Sequence, residues 1–250
     1  MMRISHNELL SMARKAFEGL GFDAGDREDA AHMVLWLERH GLDGLQELRK
    51  AIDFLPGDRE RPLQTLYRGG GLYVMDAGGA SVLCHGAVAV DAGIAMAQRH
   101  PLATVRLEGC HNRLFILADL ARSCRHGVSA LAVWRNEHGH HPRDYVVAQR
   151  AGDPLPTVRV YRDDTLAEPP VDQGMTLVFS RDFDLLPQLH PDVDADRVHY
   201  SALPDDLVES SRQRLASSIT VDEALWERLR GLAMRILVEA SDQSRRGAGE

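Results

Sequence analysis

Lysine is nearly absent from this chain: Lys15 and Lys50 are its only two, and both lie among charged neighbours in stretches with helical spacing. A Schiff-base lysine or the lysine of a phosphate-binding P-loop is therefore not expected. Cysteine is scarce as well. Cys84, Cys110 and Cys124 are widely spaced and form no CxxC pair, which suggests a reducing compartment. No apolar run approaches the roughly 20 residues of a membrane-spanning helix, and the N-terminus enters a capped helix with no signal-peptide core. Positive charge is outweighed: 29 Lys and Arg against 37 Asp and Glu give a net charge of −8. That balance speaks against a general nucleic-acid or anionic-membrane surface. Also missing are a Gly-x-Ser-x-Gly elbow, a His-Glu-x-x-His helix and a Rossmann fingerprint. A soluble, cytoplasmic globular protein is expected, long enough to bury one large core or two small ones.

What is present is concentrated between Leu72 and Asn136. A short apolar strand, Leu72–Met75, runs into the turn Asp76-Ala77-Gly78-Gly79. An Ala-rich helix is expected over 80–99, its small side chains allowing close backbone approach. A second strand, Ala103–Leu107, ends at the polar break Glu108-Gly109-Cys110-His111-Asn112-Arg113. A helix from about Leu114 to Cys124 stops at Gly127, and Val128–Trp134 reads as a third strand. Strand, helix, strand, helix, strand predicts one sheet covered by helices. His111 falls between a strand and a helix, where α/β folds place binding groups.

Upstream, Ser5-His6-Asn7-Glu8 has the form of a capping box, followed by Leu9, Ala13, Ala16 and Phe17 at helical spacing. Gly19 and Gly21 should end that helix. A second is expected from Ala24 to Arg39, and a third from about Leu42 to Leu55, stopped by Pro56-Gly57. Residues 56–71 read as a linker with a glycine hinge at Gly69-Gly70-Gly71. Downstream, Glu137-His138-Gly139-His140-His141 is a histidine cluster without the further ligands a metal site needs. Strands are expected at Tyr145–Gln149, Thr157–Tyr161, Met175–Ser180 and Arg197–Ala202. Asp192, Asp194 and Asp196 lack the Gly and closing Glu of a calcium loop. Thr220-Val221-Asp222-Glu223 reads as a second capping box ahead of Leu225, Leu229 and Leu232, and 241–250 as a mobile tail. The division expected is 1–56 as a helical region, packed with 72–240 as an α/β core.

The order of elements in 1–136, with the lone His111, resembles the malate/L-lactate dehydrogenase-like oxidoreductases. The length and the Ser244-Arg245-Arg246-Gly247 tail are similar to a shortened bacterial family of uncharacterised proteins. The resemblance implies an α/β fold with a helical N-terminal region on a three-layer core with a mixed sheet. It also implies a homodimer, an NAD or NADP cofactor, and small 2-oxo or 2-hydroxy acids as substrates. His111, Asn112 and Arg113 then fall at the cofactor, although of the family's Asn-Ser-x-His-Phe-Gly motif only the His survives. At the junction of helices two and three the family carries Arg-Gly-His-x-Ser-His-Gly, whose second His is its proton donor. Here the segment is Glu38-Arg39-His40-Gly41-Leu42-Asp43-Gly44. Asp43 occupies the donor position and His40 the earlier one. An Asp near its reference pKa of about 3.9 is a poor donor at neutral pH, so the ordinary reaction should be impaired or altered. Alternatively, Asp43 only caps the third helix. Three functions stay open: a divergent oxidoreductase, a non-catalytic binder of a small molecule or protein partner in the inherited cleft, or another enzyme using His111, His138 and His140.

Overall fold

The structure, a computed structural model, describes residues 1–136, 142–162, 173–185 and 197–236. His138, His140 and His141, Asp192, Asp194 and Asp196, and the expected tail 241–250 lie outside these residues.

The chain starts with β1 (Met2–Ile4) and α1 (His6–Gly19). The capping box is present: Ser5 Oγ accepts the Glu8 N–H at 3.2 Å, and Glu8 Oε2 accepts the Ser5 N–H at 2.7 Å. Gly21, at φ +84°, lets the chain reverse into α2 (Ala24–Arg39), which buries Ala30, Val34 and Leu37. The third helix is shorter than its sequence pattern. It divides into α3 (Gly44–Ala51) and a single turn, α4 (Leu55–Asp58), because Pro56 needs no amide partner in a first turn and starts helix there instead of ending it.

The expected linker is largely a strand. β2 (Gln64–Gly69) pairs antiparallel with β3 (Leu72–Ser81), and Gly70 and Gly71, both at positive φ, form the two-residue hairpin turn between them. The glycines are a turn, not a hinge. β3 also runs through Asp76-Ala77-Gly78-Gly79, which is a bulge and not a strand end. Between the pairs Asp76–Glu108 and Ala80–Cys110 it carries two residues more than β4 (Ala103–His111), its parallel neighbour. Likewise the polar break at Gly109-Cys110-His111 is the last part of β4.

α5 (Val82–Ala97) follows β3 directly. α6 (Ile116–Ser123) follows β4 through a tight helical turn, Arg113–Phe115, and ends at Gly127 in the left-handed conformation. β5 (Ser129–Asn136), β6 (Arg143–Gln149), β7 (Thr157–Arg162) and β8 (Met175–Ser180) lie close to their expected bounds, as does β9 (Val198–Ala202). Among the described residues the main sheet has eight strands in the order β2-β3-β4-β8-β5-β6-β7-β9, with β3–β4 its parallel pair. The three central strands read from sequence share it, as expected, with β8 inserted between β4 and β5.

The remaining elements are α7 (Pro204–Leu215), β10 (Ile219–Val221), which pairs with β1, and α8 (Glu223–Ala233). The cap of α8 differs from the expected box: Asp222, not Thr220, accepts the Leu225 N–H, at 3.1 Å, while Thr220 is paired in β10.

Register explains the core. Val105, Leu177 and Ala132 form one row across β4, β8 and β5, all fully buried. α5 sits on this surface so closely that a Cβ on Gly93 would lie 2.1 Å from Cε2 of Phe179. The small-residue helix is thus spent on packing against the sheet. α2 lies behind α5 and α6, α1 behind α2, and α8 against α1. This is an α/β fold with N-terminal helices over a mixed sheet.

Candidate functional site

β3 and β4 run parallel and end together, with Ser81 opposite His111. The carboxyl ends of parallel strands are where α/β sheets place ligands, since helices start there. Ser81 is both the last residue of β3 and the N-cap of α5, its Oγ accepting the Leu83 N–H at 3.3 Å. The path into this end is glycine-built. Gly78, Gly79 and Gly109 all have positive φ, and a Cβ on Gly109 would meet Asp76 Oδ1 at 2.9 Å. Asp76 Oδ1 accepts the Gly78 N–H at 2.7 Å, and Arg61 Nη1 donates to both Gly78 O and Gly79 O. The bulge is therefore held from two sides.

At this end His111 meets a buried acid. Its Nε2 is 2.8 Å from Asp58 Oδ2, where the Asp58 side chain is 4% exposed and that of His111 36%. Asp58 Oδ2 also accepts the Ser81 N–H at 3.2 Å. A buried carboxylate needs such partners, and their geometry fixes the imidazole with Nε2 toward the acid. No described residue bonds Nδ1. A His oriented by a buried carboxylate and open on its other nitrogen can accept or deliver a proton there. Phe54, exposed, stands edge-on to the ring at 6.1 Å between centroids.

Asn112 follows in the left-handed conformation (φ +54°), and its Oδ1 is buried with no hydrogen-bond partner among the described residues. The Arg113 guanidinium is committed to the protein: Nη1 donates to Gly174 O at 3.2 Å and Nη2 to Asn136 Oδ1 at 2.8 Å. These three residues of the motif are thus contiguous, but each faces a different environment.

The other two sequence candidates lie elsewhere. His40 is buried, its ring lies 4.2 Å from that of Trp36, and its Nδ1 donates to Trp36 O at 2.8 Å. Burial depresses its pKa below the usual imidazole value. The Asp43 side chain is 75% exposed, in the left-handed conformation (φ +51°), with Arg214 Nη2 at 3.9 Å. Its side chain does not cap α3. That work falls to Glu38, whose Oε2 accepts the Leu45 N–H at 3.1 Å while Oε1 pairs with Arg214 at 2.9 Å. The side-chain cap expected of Asp43 is therefore absent, and Glu38 supplies it. Asp43 precedes α3 and Phe54 follows it, so the length of that eight-residue helix, roughly 12 Å, separates the Asp43 junction from the His111 surroundings.

Sequence reading missed Asp58 and Ser81. Asp58 sits in a segment taken as linker, and only Pro56 at a helix start could have marked it. Next to Asp58, a cavity of about 270 Å³ is lined by Phe22, Asp26, Arg59, Cys84, His85 and their neighbours. Burial, with the charge of Asp58, pushes the Cys84 thiol up to about 12, so it is no nucleophile. Burial also lowers the pKa of His85, whose Nε2 donates to Arg61 O at 3.1 Å. Among the described residues no three His, Cys, Asp or Glu could hold a metal ion, and no helix is long and apolar enough to cross a membrane.

Residues 4–96 match a family model described as "Protein of unknown function (DUF3726)". No curated protein matches the sequence. Solved structures are similar over nearly the whole chain. Malate dehydrogenase from Pyrococcus horikoshii OT3 superposes with a TM-score of 0.67 at 12% identity, covering 95% of this chain and 96% of that one. Sulfolactate dehydrogenase from Methanocaldococcus jannaschii gives 0.65 at 8%, covering 92% and 96%. Delta1-piperideine-2-carboxylate reductase from Pseudomonas syringae pvar. tomato gives 0.57 at 14%, covering 93% and 100%. At such identities the likeness establishes the fold: the chain has the architecture of the malate/lactate dehydrogenase-like structures.

Proposed function

We propose that this chain is a divergent relative of the NAD(P)-linked 2-hydroxy-acid oxidoreductases, a cytoplasmic homodimer that binds a small acid at the His111 end of the sheet and whose hydride chemistry is weak or altered. The observation that carries this reading is the His111–Asp58 pair, 2.8 Å apart, at the carboxyl end of the parallel strands of that fold.

A nicotinamide fits one feature of the site. The orphaned Asn112 Oδ1 is an acceptor beside His111, and a carboxamide brings the N–H donor it lacks. His111 and Asn112 would hold that end of the cofactor, which supplies a hydride when bound. Arg113 fixes the surroundings by tying this segment to Gly174 and Asn136. His111, held by Asp58 through Nε2, presents Nδ1 to the bound acid. The inherited donor position contributes nothing comparable, since Asp43 is in water and His40 is turned to its own helix. A placed acid is worth about 10²–10⁴-fold in rate, and its loss is the reason for expecting feeble turnover.

The test combines thermal shift with NADH and NADPH and turnover of malate-type and lactate-type oxo acids. Stabilisation by one nucleotide with slow or no oxidation is the expected result. Wild-type turnover in the ordinary range of roughly 1–10³ per second would overturn the impaired-donor part. Absence of any shift would remove the cofactor and leave a non-catalytic binding cleft.

A further inference from the structure

At the other end of the parallel pair, where β3 and β4 begin, the surface carries a feature that the His111 end does not use. A cavity of about 260 Å³ lies between the β2–β3 hairpin turn and the end of α5, lined by Arg68, Gly69, Gly70, Gly71, Ala95, Met96, Arg99 and His100. No acid lines it, although the protein carries a net charge of −8. Among the described residues neither Arg68 nor Arg99 is in an ion pair. We propose that this cavity is a binding site for a small soluble phosphorylated metabolite, with Arg68, Arg99 and His100 as its phosphate contacts.

Arg68 and Arg99 are themselves exposed, but the backbone around them is fixed. Arg68 lies over the Tyr73 ring, 5.1 Å from its centroid, which holds the guanidinium stem along the hairpin. Gly71 brings the hairpin against the end of α5. Its carbonyl accepts the Thr104 N–H at 2.8 Å, and a Cβ there would stand 2.9 Å from Leu102 O and 3.5 Å from the His100 ring. At φ +81° the position also favours glycine on backbone grounds. A larger residue would push the turn away and open the cavity. The negative end of a helix dipole opposes an anion, but here the Met96 carbonyl is occupied by the N–H groups of both Arg99 and His100, at 2.9 and 3.0 Å.

The chemistry selects the ligand. Guanidinium forks match carboxylate and phosphate alike. Donors arriving from a strand and from a helix end, on different sides of the cavity, suit a tetrahedral phosphate better than a planar carboxylate. The volume is slightly below the usual 300–1,000 Å³ or so of drug-sized sites, which calls for a small ester or pyrophosphate. Ala95 and Met96 offer an apolar wall for its carbon part. Nine residues of β3 lie between Gly71 of the cavity and Ser81, which stands opposite His111, roughly 30 Å of strand. Occupancy here and nucleotide binding there are therefore separate measurements, and either can fail alone.

The experiment is calorimetric titration with pyrophosphate, orthophosphate and citrate at constant ionic strength. Wild type should bind pyrophosphate saturably, orthophosphate more weakly and citrate least. Arg68→Gln and Arg99→Gln should each weaken pyrophosphate at least about tenfold, the loss of one charge-assisted contact. Arg125→Gln, an exposed arginine outside the cavity, should bind as wild type does. The proposal is overturned by no saturable binding at millimolar pyrophosphate, by an equal loss in Arg125→Gln, or by citrate binding as tightly. Phosphatidylcholine vesicles containing phosphatidate should not co-sediment the protein, and co-sedimentation would replace the soluble ligand by a lipid headgroup.

Discussion

Glu38 caps the helix that Asp43 precedes. Its Oε2 takes the Leu45 N–H at 3.1 Å across the α2–α3 junction, so the first turn of α3 is satisfied from the end of the previous helix. Glu38 is itself buried and paired with Arg214. Removing it costs the cap and the close ion pair to Arg214, which keeps only the 3.9 Å contact to exposed Asp43. Glu38→Ala should therefore lower stability by about 1–3 kcal/mol in chemical denaturation. Asp43→Gly should be neutral or slightly stabilising, because the substitution relieves a left-handed φ and loses only an exposed contact at 3.9 Å. A larger loss in Asp43→Gly than in Glu38→Ala would reverse the assignment.

The His111–Asp58 pair should behave as a coupled unit. His111→Ala leaves the buried Asp58 carboxylate with the Ser81 N–H, at a cost of about 1–3 kcal/mol. Asp58→Asn removes the buried charge, so the double variant should recover part of that loss. A coupling of about 0.5–3 kcal/mol is expected from the double-mutant cycle at neutral pH. Additivity within a few tenths of a kcal/mol would show that the two side chains are only neighbours.

How far the sequence carried differs between fold and site. The central strands and α2 were legible because an apolar run of five or six residues, or Ala30, Val34 and Leu37 at helical spacing, is a local signal. The placement of β8 between β4 and β5 was not, since strand order is set by side-chain rows such as Val105–Leu177–Ala132 that form only on assembly. Gly78 and Gly79 looked like a turn because a bulge and a turn ask the same positive φ of glycine. β1 and β10, three residues each, are too short for any period to show. α7 did leave a signal that was overlooked: Pro204 at its start, and Asp206 accepting the Leu203 N–H at 2.8 Å. At the site, His111 was visible as a lone histidine between a strand and a helix. Its partner Asp58 lies on a single helical turn, where no periodicity exists to reveal which side is buried.

Two glycine substitutions separate helix propensity from packing. Gly231→Ala in α8 meets nothing within 4 Å and should stabilise by roughly 0.5–1 kcal/mol. Gly93→Ala gains the same propensity but drives its methyl into Phe179, a fully buried ring in the centre of the sheet. Overpacking of about 1–3 kcal/mol or more should outweigh the gain. Denaturant midpoints of opposite sign for the two variants are the expected outcome. Stabilisation by Gly93→Ala would mean that α5 does not rest on the sheet this closely.

Asp119 should make stability depend on pH. Burial raises its pKa from 3.8 to about 7, against the opposing pull of Arg122, whose Nη2 lies 2.9 Å away. Asp29 and Asp91 press in the same direction as burial, and Oδ2 of Asp119 has no hydrogen-bond partner among the described residues. The sign follows from linkage. Between about pH 4 and 7 the folded chain keeps a proton at this site that the unfolded chain has released, so ν_U − ν_N is negative and the unfolding free energy falls as pH rises. The contribution is fully present below the unfolded pKa and is lost through about pH 7. Asp119→Asn is uncharged throughout and should lack this slope. Wild type minus variant should therefore decline by a few kcal/mol from pH 4 to pH 8, with the variant the more stable at the alkaline end. The comparison cancels the ordinary carboxylates, which titrate in both proteins. A difference that stays constant over this range would place the Asp119 carboxylate in its ionised form at neutral pH, satisfied by Arg122.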